Sequence, residues 1–224
     1  MASESNYQYR SAFDGVLLRL AGGELEKIDA FFEQSKTSLR FEKKALEQRA
    51  ERSGGGYPDD FWVDDVAQLE EFAWLSSEFA IIGLWRCVEL YRKDAIKHAL
   101  GDDNAIRCFL RRKKSKHPFP FNHKNFVDIL ARLKIEESKI CCAKYMDELR
   151  RLNNAIKHAR RVNDSLAEIP GWEGKKGDRL GDLERHYSRL QPRAKTYLGD
   201  LAKRLKAKFP PPHRVENMKK GSYR

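Results

Sequence analysis

From Phe72 to Tyr91 the bulky apolar residues recur every three or four positions: Phe72, Leu75, Phe79, Ile82, Trp85, Val88 and Tyr91. That step is the helical period, not the two-residue period of a strand. Further apolar side chains surround the stripe, so the spacing predicts a central, mostly buried helix. Glu78, Arg86 and Glu89 interrupt the run, which makes it unsuited to a membrane core. A chain built round such a helix needs other helices to cover it.

The rest of the chain supplies them. Residues 9–50 read as one or two helices, with Val16, Leu17, Leu20, Leu25, Ile28, Phe31, Phe32, Leu39 and Phe41 in helical rhythm and Gly22-Gly23 as a break. The segment after Ser35 is so charged that it is expected to project or to meet a partner subunit. Residues 53–58, Ser-Gly-Gly-Gly-Tyr-Pro, form a linker. Asp59 to about Ala99 is the hydrophobic heart; Asp64 or Asp65 can cap the start of its helix, and Gly101 followed by Asp102-Asp103 ends it. A short helix follows at 103–112, then an irregular stretch, His117-Pro-Phe-Pro-Phe-Asn-His123, in which two prolines forbid a regular helix. Helices are expected at 125–134, with Phe126, Ile129, Leu130 and Leu133 inward, and at 178–208, where Pro192 should start, kink or split the element. Pro210-Pro-Pro212 ends it. No segment alternates like a strand. The expected fold is all-α, an up-and-down helical bundle over 59–208, preceded by an N-terminal helical extension (1–52) and followed by a basic tail (209–224) without fixed structure.

Charge matters here through its placement. Of a net +11 over 224 residues, residues 203–224 carry +7 and the run Arg111-Arg112-Lys113-Lys114-Ser115-Lys116 carries +5, leaving −1 elsewhere. Two concentrated basic segments on a near-neutral body attract polyanions, nucleic acid above all, although a solubilising tail and a solvated loop carry the same signature. The four cysteines have no metal spacing, and Cys141 and Cys142 are adjacent, so reduced thiols in a cytoplasmic protein are expected. No apolar leader segment stands at the N-terminus. No HExxH, Cys/His cluster, phosphate loop or GxGxxG occurs, so neither metal nor cofactor is expected.

The chemical clue lies in 147–161. Tyr145, Leu149, Leu152 and Ile156 form an apolar stripe, and Arg151, Asn154, His158 and Arg161 form a polar row on another face. Arg151 and His158 are two turns apart and project the same way. An arginine can clamp a phosphate, and a histidine near neutral pKa can move a proton at a ribose 2′-hydroxyl. The pair could support metal-independent RNA cleavage. The plainer reading of a lone helical histidine is a solvated or structural one. The echo of Ala95-Ile-Lys-His-Ala99 in Ala155-Ile-Lys-His-Ala159 is treated as chance.

Arg151-Leu-Asn-Asn-Ala-Ile-Lys-His158 resembles the Arg-x(4–6)-His motif of the HEPN superfamily, over roughly residues 60–165. The resemblance implies a helical bundle, a homodimer, and either a ribonuclease of toxin–antitoxin or antiviral defence, with a possible antitoxin or inhibitor protein as partner, or a non-catalytic RNA-binding or scaffold module. It implies His158 as acid/base, Arg151 as phosphate clamp, Asn154 as a positioning residue, and Glu89 or Lys93 as support. Arg111, Arg112, Lys113, Lys114, Lys157 and Arg161 are the expected RNA contacts. The chain departs from the commonest family form, Arg-Asn-x-x-x-His, because Asn153 stands at its arginine. Either Arg151 has taken over that function or the site lacks catalysis.

The remaining candidates rank lower. Arg92 and His98 share the motif spacing but diverge on a helix. Phe119 and Phe121 beside the basic run could stack bases, yet a loop plugging its rings into the bundle is favoured. His186 and His213 have no partner in sequence. A helical DNA-binding protein rests on charge alone, with no helix-turn-helix pattern.

Overall fold

The computed structural model describes residues 23–52 and 59–209, the side chains of 59–62 excepted. Among them it is all-α, with seven helices and no strand: α1 (Leu25–Arg52), α2 (Asp59–Leu100), α3 (Asp103–Phe109), α4 (His123–Arg132), α5 (Ala143–His158), α6 (Asp164–Ala167) and α7 (Leu183–Lys208). A 3-10 turn, Glu137–Lys139, precedes α5. The expected N-terminal pattern of Val16, Leu17 and Leu20, the linker 53–58 and the tail 210–224 lie outside the described residues.

Helix α2 is the spine. Its 42 residues span about 63 Å at 1.5 Å per residue. Its second half carries the core. Ile81, Leu84, Val88, Tyr91 and Ile96 are buried, and they meet Leu149 and Leu152 of α5 and Leu190, Tyr197, Leu201 and Leu205 of α7. Tyr91 donates to the carbonyl of Leu198 at 3.3 Å, tying α2 to α7. Helix α1 packs along α2 and adds Leu25 and Phe32 to the same core. Phe32 meets the ring of Tyr187 on α7 at 4.5 Å. The N-terminal helix is therefore continuous with the bundle.

The stripe on α2 differs from the expected one. Phe72 and Phe79 are exposed, at 58 % and 61 %. Trp85, Val88 and Tyr91 of the expected stripe are buried, and the buried face also takes in Ser77, Glu78, Ile81, Leu84, Arg92 and Ile96. Bulky residues stand on both sides of this helix, and periodicity alone does not say which set faces the neighbours. Phe31 and Phe41 of α1 are exposed as well.

Local rules set the ends. Gly101, at φ 99°, closes α2 and Asp102 caps α3 by accepting from the Ala105 amide. Asn122 caps α4 through the Asn125 amide and Asp182 caps α7 through the Arg185 amide. Helix α7 begins at Leu183, five residues later than expected, and runs unbroken past Pro192. Leu180 is buried outside it. Helix α5 ends at His158, and Arg160 turns left-handed at φ 53°. Arg161 therefore leaves the helical row on which its sequence spacing placed it.

No described helix is long and apolar enough to cross a membrane, and no group of described His, Cys, Asp or Glu side chains could hold a metal ion. The four cysteines are free.

Candidate nucleic-acid interface

The residues expected to form a catalytic site are spread over the bundle. Arg151 is half-buried and ion-paired: its Nε donates to Asp147 at 2.7 Å and its Nη1 reaches the Ser165 carbonyl, with Glu168 at 3.7 Å. Burial pushes the Asp147 carboxyl up, but hydrogen bonds and charge from Arg150 and Arg151 more than offset this and hold it below the usual range. Asn154 and His158 are exposed. The His158 side chain makes no hydrogen bond or ion pair among the described residues. Asn153, at the family's arginine position, is 1 % exposed and its Oδ1 has no partner. Glu89 and Lys93 are half-buried on α2. Glu89 lines a small recess with Trp85, Arg92 and His123, away from the cavity that Arg151 borders.

That cavity, of about 720 Å³, lies between α5, the 168–173 loop and the start of α7. Its wall holds a network that sequence reading missed. Arg189 binds both oxygens of buried Glu148, one at 2.9 Å. His186 lies 3.7 Å from Glu148 and stacks on Trp172 at 4.5 Å. Burial raises the Glu148 carboxyl, yet bonds from His186 and Arg189 bring it below its ordinary value. The charges here satisfy one another, and His158 is not among the lining residues.

Arg92 is likewise committed. It is 3 % exposed, donates to the Tyr197 hydroxyl at 2.8 Å and to Glu137 at 3.2 Å, and sits 4.6 Å from the Phe126 ring centroid. It is a core arginine.

The open cations are elsewhere, in two places. The first is the 111–116 loop. Arg111, Arg112, Lys113 and Lys114 are exposed. Arg112 pairs with Asp128 at 3.3 Å, while the side chains of the other three have no partner among the described residues. The loop is anchored from below: Arg107 donates to the carbonyls of His117 and Pro118, Asp103 accepts the Phe119 amide at 2.9 Å, and Phe119 is buried. Phe119 thus plugs the bundle instead of offering a stacking face.

The second is a short ribbon made as the chain leaves α5. Arg161 bridges Arg179 antiparallel. Val162 donates to Asp178 at 2.8 Å, Gly177 to Val162 at 2.8 Å and Leu180 to Arg160 at 3.2 Å. Gly174 and Gly177 supply the positive φ, 125° and 92°, that the return needs. The ribbon and the end of α5 expose Lys157, His158, Arg160, Arg161, Lys175, Lys176 and Arg179 together. Under it lie Trp74 and Glu78, one turn apart on α2. The guanidinium carbons of Arg160 and Arg179 are 4.9 and 5.0 Å from the Trp74 ring centroid, and Arg160 pairs with Glu78 at 3.1 Å. Burial pushes the Glu78 carboxyl up, against the pull of the two arginines. Lys157 and Arg161 are among the residues expected from the sequence to contact RNA, and both are exposed here. Arg160 stood unread beside Arg161, and nothing in the sequence placed Arg179 beside it.

No family model, no curated protein and no solved structure matches the chain.

Proposed function

We propose that this chain is a non-catalytic, HEPN-like helical module that binds single-stranded RNA. The observation that carries the reading is the division of its cations. Arg151 and Arg92 are tied to carboxylates. On the surface, the side chains of Arg111, Lys113, Lys114, Lys157, Lys175 and Arg179 have no hydrogen-bond or ion-pair partner among the described residues, whereas Arg112, Arg160 and Lys176 pair with Asp128, Glu78 and Asp164. Cations in water, free of internal ion pairs, exchange counterions for phosphates. A catalytic pair needs a shared cleft, and the cavity that Arg151 borders does not have His158 in its lining.

A second reading is a metal-independent endoribonuclease, acting as a cytoplasmic homodimer in a toxin–antitoxin or defence system. His158 favours it, being exposed and unengaged at the end of α5. A symmetric partner could add the missing groups across a two-fold axis.

Labelled single-stranded RNA incubated with the protein in EDTA separates the two. The module binds RNA and leaves it intact. Cleavage to cyclic-phosphate ends that disappears in His158→Ala and Arg151→Ala would establish the ribonuclease instead.

A further inference from the structure

We propose that Trp74, Arg160 and Arg179 form a built seat for a backbone phosphate of single-stranded RNA, with Arg179 as its principal ligand. This rests on the RNA-binding reading and names where the strand is held.

Arg179 is placed without being used. Its guanidinium lies over Trp74, yet it makes no hydrogen bond or ion pair among the described residues. Stacking on an indole leaves the donor edge of a guanidinium open. Arg160 lies over the same ring and gives one ion pair, to Glu78 Oε2. The Glu78 side chain is nearly out of solvent, and its Oε1 has no partner. Two guanidiniums thus face one carboxylate, and the cluster keeps an uncompensated positive charge. Like charges gathered on one ring repel, and an oxyanion between or beside them removes the repulsion.

The arrangement is also fixed before any ligand arrives. Arg160 and Arg179 stand on the two facing arms of the ribbon, joined by the Leu180 to Arg160 hydrogen bond and the Arg161–Arg179 bridge. Trp74 is anchored on the spine helix. Little ordering remains to be done on binding, which favours affinity. Lys157, His158 and Arg161 are exposed beside the seat and extend the track for neighbouring phosphates. Glu78 is a positioning residue: it orients Arg160 and tempers its charge.

The test is fluorescence anisotropy with a short labelled oligouridylate over a salt series. It compares the full chain with Arg179→Gln, Arg160→Gln and Glu78→Gln, and checks each fold by circular dichroism and Tm. Arg179→Gln should weaken binding about tenfold and lower the salt slope by about one phosphate contact. Arg160→Gln should act the same way to a lesser degree. Glu78→Gln, which frees Arg160 from its carboxylate, should tighten binding severalfold. If the wild type binds and Arg179→Gln binds equally well, the seat is wrong and the RNA-binding reading stands. If the wild type does not bind, both fall. Displacement of the RNA by an acidic peptide at equal charge concentration would reassign the cluster to a protein partner and overturn the proposal.

Discussion

Arg151 donates its Nε proton to Asp147 at 2.7 Å, one turn back on the same helix. The arginine expected to clamp a phosphate is therefore an internal partner before any ligand comes near. Its Nη1 bond to the Ser165 carbonyl also fastens the loop after α5. These bonds explain why a residue legible as a phosphate clamp behaves as a brace.

Arg151→Ala should accordingly leave RNA affinity within about twofold and reduce stability by about 1 kcal/mol, the scale of a partly exposed ion pair with a backbone contact. Urea unfolding and anisotropy on the same preparation check both. A large loss of affinity without loss of stability would restore Arg151 to the binding surface.

The Glu148–Arg189 pair makes a sharper stability statement. Arg189→Met leaves the buried Glu148 carboxylate with only His186 beside it and should cost about 3 kcal/mol, whereas Arg189→Met with Glu148→Leu should recover most of it. Chemical denaturation of the three proteins measures this. Equal stability of the single and double variants would contradict it.

The same carboxylate fixes a pH dependence. Its folded pKa is below the ordinary 4.5, so its pairing stabilises the fold fully above that value. The contribution is lost as pH falls through the depressed folded value. The Tm advantage of wild type over Glu148→Gln should therefore be constant at neutral pH and shrink below about pH 4.5. An advantage that grew on acidification would reverse the assignment.

On the spine helix, Leu84→Ala should cost about 3 kcal/mol, as for a fully buried leucine. Phe79→Ala should cost less than about 0.5 kcal/mol, because an exposed side chain has little packing to lose. Thermal unfolding decides, and a Phe79 variant as damaged as the Leu84 variant would put that face against a partner.

The Lys113→Gln, Lys114→Gln double variant should lower RNA affinity severalfold and reduce the salt slope by up to two contacts, with no change in Tm. An unchanged slope would mark the loop as a solvated feature with no role in binding.

Much of the fold was legible. The three-to-four rhythm of α4, α5 and α7, the stop at Gly101, and the all-α class follow from local periodicity and backbone chemistry. Phe72 and Phe79 were misread because α2 is apolar on more than one side, and the choice of buried side depends on where α1, α5 and α7 lie. Arg161 was misread because the spacing rule holds only while the helix lasts, and Arg160 at φ 53° ends it. The basic loop was plain as a charge run. Its anchoring by Arg107 and Asp103 was not.

The sequence by itself determined that this chain is helical, that its cations are concentrated, and that 147–158 has an apolar and a polar face, since each is a property of neighbouring residues. Only the tertiary structure decided which cations remain available. Arg92 is neutralised by Glu137, which the 3-10 turn brings to it, and Arg151, already paired one turn back with Asp147, is fastened further by the Ser165 carbonyl of the following loop. Arg160 and Arg179 are brought together over Trp74 by a ribbon joining residues far apart in the chain. The physical reason is that an ion pair depends on distances of a few ångströms, and for residues far apart in the chain those distances are set by packing.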